Sequence, residues 1–496
     1  MKKINRREFI QSGTGIAATF TMGSGIGPLL SNCSGEKVSS KIIGIQIGAP
    51  SFVDEGVEEC LDILQERAYV NTLFAMVYSY KEGLSGRVWP PVDHGRQFES
   101  SKFHGGYYAK VHPEYYRNTL FNDNPQILRA PDDGDFELLG SVIPSAKKRG
   151  IKTIAWLADQ VHNDIPQFQQ MAEMDYSGGK LNQVCLNNPH FQSFLNAMVE
   201  DCVNSYEIDG LMWRSERWGA LTNLLYGWDG EGKPEIPCFC PYCQKKAKES
   251  GINFDRVREG YQTLIKFVAD ARAGKRPAEG YYIVFWRILM RYPEILSWEM
   301  FWYESLKETL RTVYTKAKSI KPNLMVGSAI PHSVSFNPFY RAFVDLHELS
   351  KYNDFLKFIF YNVEAGPRAC NYVDDLFGTY LNDFSKESRL SFLYGVMGFR
   401  EGSYDKIKAE GMSPDYVNKE TETWLEAAGG TNLKILPGID IDVSAGNDKL
   451  PRSREGVRDA VLAAFSAGAP GIVLSRMYSE MMLDHLSGVG DAIRQL

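Results

Sequence analysis

Cys238-Phe239-Cys240-Pro241-Tyr242-Cys243 places three cysteines inside one short segment. A disulfide between any two of them would leave the third unpaired and strain the pair that formed. Thiolates at this spacing converge more naturally on one Zn²⁺, which takes four ligands in a tetrahedron. Cys60, Cys185, Cys202 and Cys370 are the candidates for the fourth. Free buried thiols or a redox motif are the other way to read the segment.

The second set of chemically capable residues stands at the ends of short apolar runs. In chain order these are Gln46, Tyr78 and Tyr80, Asp159 and His162, Glu216, His332, Asn362 and Glu364, Asp440 and Asp442, and Arg476, with Trp156 and Trp213 close by. Carboxylates can bond sugar hydroxyls or exchange a proton with a glycosidic oxygen, and flat aromatic faces pack on a sugar ring. Strand alternation would put Asp440 and Asp442 on one face, opposite Ile439 and Ile441. Arg476 could anchor an anionic sugar or pair with Glu480. Trp218 and Trp228 could form a sugar platform or simply cover the chain around them.

The elements that must position these residues alternate regularly. Apolar runs at 42–47, 72–80, 152–157, 209–213, 324–330, 356–361, 434–441 and 471–474 read as buried strands. Helical patterns at 54–67, 135–149, 189–206, 294–319 and 457–467 fall between them. Eight strands separated by helices predict an α/β fold, a (β/α)8 TIM barrel, whose chemistry sits at the C-terminal strand ends. A doubly wound sheet is the competing architecture, but no Gly-rich phosphate loop follows the first strand. One barrel domain is expected over 42–496, with a long insertion at 217–293 after the fourth strand that carries the cysteine-rich zinc subsite.

The segment Arg214-Ser215-Glu216-Arg217, followed by the cysteine cluster, resembles the family-42 glycoside hydrolases, which are largely β-galactosidases. Those enzymes carry a zinc-binding C-x-C-x-x-C segment after the fourth strand and a fourth cysteine upstream in a C-P-N-S-P-like stretch. Cys185-Leu186-Asn187-Asn188-Pro189 is similar to that stretch in form and position. The resemblance therefore implies a structural zinc on Cys185, Cys238, Cys240 and Cys243. It further implies that Glu216 is the general acid/base and that a strand-seven carboxylate, Asp440 or Asp442, is the nucleophile, with Glu364 as a rival. Tyr78, Asp159, Trp213, Arg214, His332, Asn362 and Arg476 are then expected to bind a carbohydrate substrate. Ser215 stands where the family has Asn, and aspartates stand where its nucleophile is Glu. A non-catalytic sugar-binding barrel is the alternative that these departures favour. Gly251-Ile252-Asn253-Phe254-Asp255-Arg256 also resembles less characterised hydrolase-like barrels of this kind.

The N-terminus reads as an address. Asn5-Arg6-Arg7-Glu8-Phe9-Ile10, before a weakly apolar run ending at Leu29-Leu30, resembles a twin-arginine export signal. Leu30-Ser31-Asn32-Cys33 resembles a lipoprotein cleavage box, so residues 1–33 are expected to direct export and Cys33 to carry a lipid. Residues 34–41 would then be a linker to a periplasmic or membrane-anchored domain. A net charge of −6 spread along 496 residues provides no basic stripe for nucleic acid. No internal stretch is apolar for long enough to span a bilayer, which leaves the lipid as the one membrane contact expected.

Overall fold

The computed structural model describes residues 41–79, 92–94, 104–132, 134–159, 161, 163–227, 234–443 and 450–496. Eight strands build its centre: β1 (Ile42–Gly48), β2 (Thr72–Ser79), β3 (Lys152–Ala158), β4 (Gly210–Arg214), β5 (Met325–Ile330), β6 (Phe355–Ile359), β7 (Lys434–Asp440) and β8 (Gly471–Ser475). Each pairs in parallel with the next, and β8 returns to β1, so the sheet closes on itself. The expected TIM barrel is therefore present.

Alternation decides which side chains fill it. Phe74, Met76, Ile154, Trp156, Met212, Ala329, Phe355, Leu436 and Val473 form one buried interior cluster, so each strand sends every second residue inward. The opposite faces pack on the helical layer. Its main members are α1 (Val57–Ala68), α2 (Leu138–Lys148), α3 (Pro189–Ser205), α4 (Pro241–Glu249), α5 (Phe254–Arg272), α6 (Tyr281–Arg291), α7 (Glu294–Ile320), α8 (Asn362–Asp374), α9 (Lys386–Met397), α10 (Pro414–Ala427), α11 (Arg454–Ser466) and α12 (Leu483–Ile493).

Three local features depart from the sequence reading. The helix expected at 54–67 breaks at Gly56, whose φ of 86° only glycine adopts readily. Beyond β3, Ala172–Met174 and Lys180–Val184 form a small antiparallel hairpin. The link from β6 to β7 is a second large excursion, carrying α8, α9 and α10 besides shorter helices. Amphipathic helices packed on one another look locally like any barrel helix, so periodicity alone does not mark them as an insertion.

Candidate functional site

At the C-terminal mouth of the barrel, two carboxyl groups come together from neighbouring strands. Asp440 ends β7 at an inward position, in register with Ser475 of β8. Glu364 lies in the first turn of α8, which begins directly after β6. The Glu364 backbone N–H donates to Asp440 Oδ2 at 3.2 Å, and the Val443 N–H donates to Asp440 Oδ1 at 3.0 Å. Arg452 adds charge 3.5 Å from the same Oδ1. Both carboxyls are buried.

Their environments differ. Burial pushes the Glu364 carboxyl up, with Arg368 opposing and the neighbouring Asp440 reinforcing. Burial also raises Asp440, but Arg452 and two backbone N–H groups oppose it. Backbone donors on both oxygens favour the ionised form of Asp440. Glu364 accepts from Arg368 Nε at 3.2 Å through Oε2, while its buried Oε1 has no hydrogen-bond partner among the described residues. Two such neighbours cannot both ionise cheaply.

Beneath the pair lies a polar floor of which the sequence reading named only Gln46. Lys357 sits mid-strand in β6, inside the barrel and fully buried. Its ammonium donates to Gln46 Oε1 at 2.5 Å and to the Tyr361 hydroxyl at 2.9 Å. Ser475 Oγ also donates to Gln46 Oε1, at 2.7 Å. With its carbonyl oxygen held twice, the Gln46 amide must turn its Nε2 the other way, where that buried donor has no partner among the described residues. The inward position of β7 alongside is Gly438; a Cβ there would lie 3.0 Å from Lys357 Cε and 3.2 Å from Tyr361 Cε1. The one available signal was a lone lysine inside Phe355-Leu356-Lys357-Phe358-Ile359-Phe360.

His332, after β5, flanks this floor. Arg368 Nη1 approaches its Nδ1 at 3.4 Å and Tyr416 OH its Nε2 at 2.9 Å. Burial, helped by Arg368, holds the imidazole well below its usual range. A neutral ring that accepts at Nδ1 must donate from Nε2, and the Tyr416 hydroxyl passes the chain on to Ser335 Oγ at 2.9 Å. Arg476 is paired bidentately with Glu480, at 3.0 and 2.6 Å.

Several expected site residues are placed elsewhere. A register shift between Met76 and Tyr78 turns Tyr78 outward, where its ring meets Tyr107 and Phe194. Trp213 follows inward-facing Met212 and so points into the helical layer, lining a small cavity with Tyr303 and Tyr340. Asp442 does not share the face of Asp440. The strand has ended, Asp442 takes φ 56°, and its carboxylate accepts from the Met482 N–H at 2.7 Å and meets His485 Nδ1 at 2.8 Å. Asn362 ties down a loop, its amide donating to the Met412 carbonyl at 3.2 Å. Asp159 accepts from Arg217 Nε at 2.8 Å, and Arg217 also lies 3.4 Å from Glu173. Arg214 is the last residue of β4, in register with Ala158 and Ala329. Glu216 is half-buried two residues farther on. Tyr80, His162 and Trp228 lie outside the described residues, as do residues 1–40 with Arg6, Arg7 and Cys33.

The cysteines converge as expected. Cys185, Cys238, Cys240 and Cys243 are all buried, and their sulfurs lie within 4.8 Å of one another. Cys185 Sγ is 3.4 Å from Cys240 Sγ and 3.5 Å from Cys243 Sγ. Four sulfurs about 2.3 Å from one ion would be separated by about 3.8 Å, so the cluster has the dimensions to hold one metal. Local sequence explains how. Pro241 starts α4, which makes Cys240 the N-cap and puts Cys243 in the first turn; the Cys243 N–H donates to Cys240 Sγ. Cys185 follows the hairpin, and the Phe239 N–H donates to the Met174 carbonyl at 2.7 Å to bring the two segments together. Cys60, Cys202 and Cys370 are buried but do not join the group.

No protein-family model matches the chain, and no curated protein matches its sequence. Among solved structures, the chain is similar to the PgaB (BpsB) glycoside hydrolase domain from Bordetella bronchiseptica, with 10% identity and a TM-score of 0.49 over 92% of this chain and 98% of that one. It is also similar to a β-galactosidase from the psychrophilic Marinomonas ef1, with 10% identity and a TM-score of 0.49 over 92% of this chain and 59% of that one. The α-L-fucosidase isoenzyme 2 from Paenibacillus thiaminolyticus is similar at 12% identity and a TM-score of 0.45, over 92% of this chain. The chain spans about half the length of that fucosidase, 49%. The barrel assignment rests on the strand pairing itself.

Proposed function

We propose that this chain is an exported glycoside hydrolase acting on a glycan. The observation that carries the reading is the Glu364–Asp440 pair at the barrel mouth, one buried carboxyl suited to hold a proton beside one whose two oxygens accept backbone N–H groups. Hydrolysis of a glycosidic bond needs that division of labour. Glu364 Oε1 would protonate the leaving oxygen, while Asp440 would stabilise or attack the anomeric carbon. A working separation of about 5–5.5 Å between the two carboxyl groups would make retention of configuration the outcome. Glu216, half-buried past β4, is the competing acid/base. Gln46 Nε2 would be the donor left to meet a sugar hydroxyl, with His332 holding Arg368 and Tyr416 in place beside it.

The four-cysteine cluster would carry a structural Zn²⁺, since four thiolates leave no open position for catalysis. Arg6-Arg7 would direct passage across the membrane as an already folded, metal-loaded protein, and Cys33 would anchor it by lipid.

One observation favours binding without turnover: both Asp440 oxygens are already engaged by backbone donors. The experiment that separates the readings is incubation of the metal-loaded protein with aryl glycosides and a polysaccharide panel, reading released sugar and its anomer. Release that Glu364→Gln abolishes supports the hydrolase. Binding of glycans with no release from any of them supports the binding barrel.

A further inference from the structure

The face of the molecule most in need of a partner lies on the two long excursions of the chain. The excursions after β4 and β6 dock on each other. Arg276 Nε donates to Asp383 Oδ1 at 2.6 Å, the Tyr281 N–H donates to Asp383 Oδ2 at 2.8 Å, and Asn382 Nδ2 donates to the Ala271 carbonyl at 3.0 Å. An aromatic layer runs beneath the junction. Phe285 stacks on Tyr380 at 4.8 Å, Tyr380 meets Phe377 at 5.9 Å, and Phe377 meets Phe392 at 5.8 Å.

Outside that layer the surface stays apolar. α6 reads Tyr281-Tyr282-Ile283-Val284-Phe285-Trp286-Arg287-Ile288-Leu289-Met290-Arg291, with arginines as its only polar residues. A helix apolar all round belongs in an interior, yet only Tyr281, Phe285, Ile288 and Leu289 are buried. Tyr282, Ile283, Trp286 and Met290 remain exposed, Met290 by 74%. Phe384, beside the start of α6, and Phe392 and Val396, one turn apart on α9, are exposed as well. These seven are more than half of the large apolar side chains exposed among the described residues.

We infer that this face is covered by a second copy of the same chain, α6 and α9 of one protomer packing on α6 and α9 of the other. Large side chains present roughly 150–250 Å² each when fully exposed, so seven that are about half exposed offer on the order of 600 Å². That is the apolar centre of an interface to which each partner contributes about 800 Å², and it stands at the upper end of what a lone domain leaves bare. Its chemistry is that of an interface core: aromatics, Met and Arg, with no lysine on α6. Arg287 carries Glu279 at its side, so the polar rim brings both signs of charge. A two-fold axis lets such a patch meet itself.

Sedimentation velocity on the full-length, metal-loaded protein over a hundredfold concentration range tests this. A dimer is expected, with Trp286→Glu weakening it at least tenfold. Met290→Glu, at the most exposed position and therefore least able to disturb folding, should do the same while thermal unfolding and metal content stay unchanged. A monomer at all concentrations overturns the proposal, as does a dimer indifferent to both substitutions. A monomer that instead sediments with phosphatidylglycerol vesicles would assign the face to a lipid surface.

Discussion

Asp440 Oδ2 accepts the backbone N–H of Glu364 at 3.2 Å, so the position of one carboxyl group fixes the helix turn that presents the other. The contact joins the end of β7 to the start of α8 at the barrel mouth. It makes the two side chains one unit, and their substitutions should not behave as independent.

Glu364→Gln keeps the shape of the side chain and removes its proton. On a substrate that the wild type cleaves, kcat should fall by about 10²–10⁴-fold, the usual worth of a general acid, while KM changes little. Because burial raises the Glu364 carboxyl, the acid form persists above the usual carboxylate range, and the alkaline limb of the pH–rate profile should shift upward with it. Asp440→Asn should cost a similar factor, and the double variant little more. Full activity of Glu364→Gln together with loss in Glu216→Gln would move the proton donor to β4.

The floor beneath the pair is tested at Gly438. An alanine Cβ would stand 2.8 Å from the Phe358 carbonyl oxygen, which cannot move, besides crowding Lys357 and Tyr361. Gly438→Ala should destabilise the protein by about 1–3 kcal/mol, the range for overpacking. Lys357→Met keeps much of the volume but leaves the Gln46 amide held by Ser475 alone. Sugar affinity should drop in Lys357→Met with thermal stability largely retained, and unchanged affinity would remove the floor from the site.

How much of this was legible in the sequence follows from the range of each signal. All eight strands declared themselves because inward and outward faces are both apolar in a closed parallel barrel. The metal cluster was legible because Cys240-Pro241 sets its own helix start locally. The orientation of Tyr78 was not, since a register shift is a property of two strands. Asp442 was lost for a similar reason: alternation holds only while the strand lasts, and β7 stops at Asp440. Lys357 escaped because Gln46, which accepts from its ammonium, lies 311 positions away along the chain and meets it only when the barrel closes.

The cysteine cluster should contain one zinc per chain by metal analysis of protein purified without chelator. Cys240→Ser should release it. The hairpin and the start of α4 would then lose the tie between them, and the unfolding midpoint should fall by at least about 5 °C. Absence of metal from the wild type, with the four thiols freely reactive toward a maleimide, would overturn the assignment.

Arg6→Lys with Arg7→Lys should hold the protein in the cytoplasm if the paired arginines are the address. Cys33→Ala should free an exported protein from the membrane fraction while leaving export intact. Fractionation reads both, and secretion of the double lysine variant at the wild-type level would rule the pathway out.

The pH dependence of stability has a clear contributor in Glu299. Its carboxyl is buried in α7 and accepts from the Leu221 N–H at 2.8 Å and from Thr222 Oγ1 at 3.0 Å, capping the short helix Ala220–Tyr226. Burial raises it to about 7 from an ordinary value of 4.5, outweighing those donors. The folded protein therefore binds this proton more tightly than the unfolded chain does. The stabilisation is complete below pH 4.5 and is lost as pH rises through 7, at up to about 1.4 kcal/mol per pH unit. Across that window the loss amounts to about 3 kcal/mol. Glu299→Gln cannot titrate, so the difference in unfolding free energy between wild type and variant should decline with that slope from pH 4.5 to 7 and then level off. Urea unfolding at half-unit pH intervals measures it, and parallel curves for the two proteins would show that Glu299 is ionised throughout.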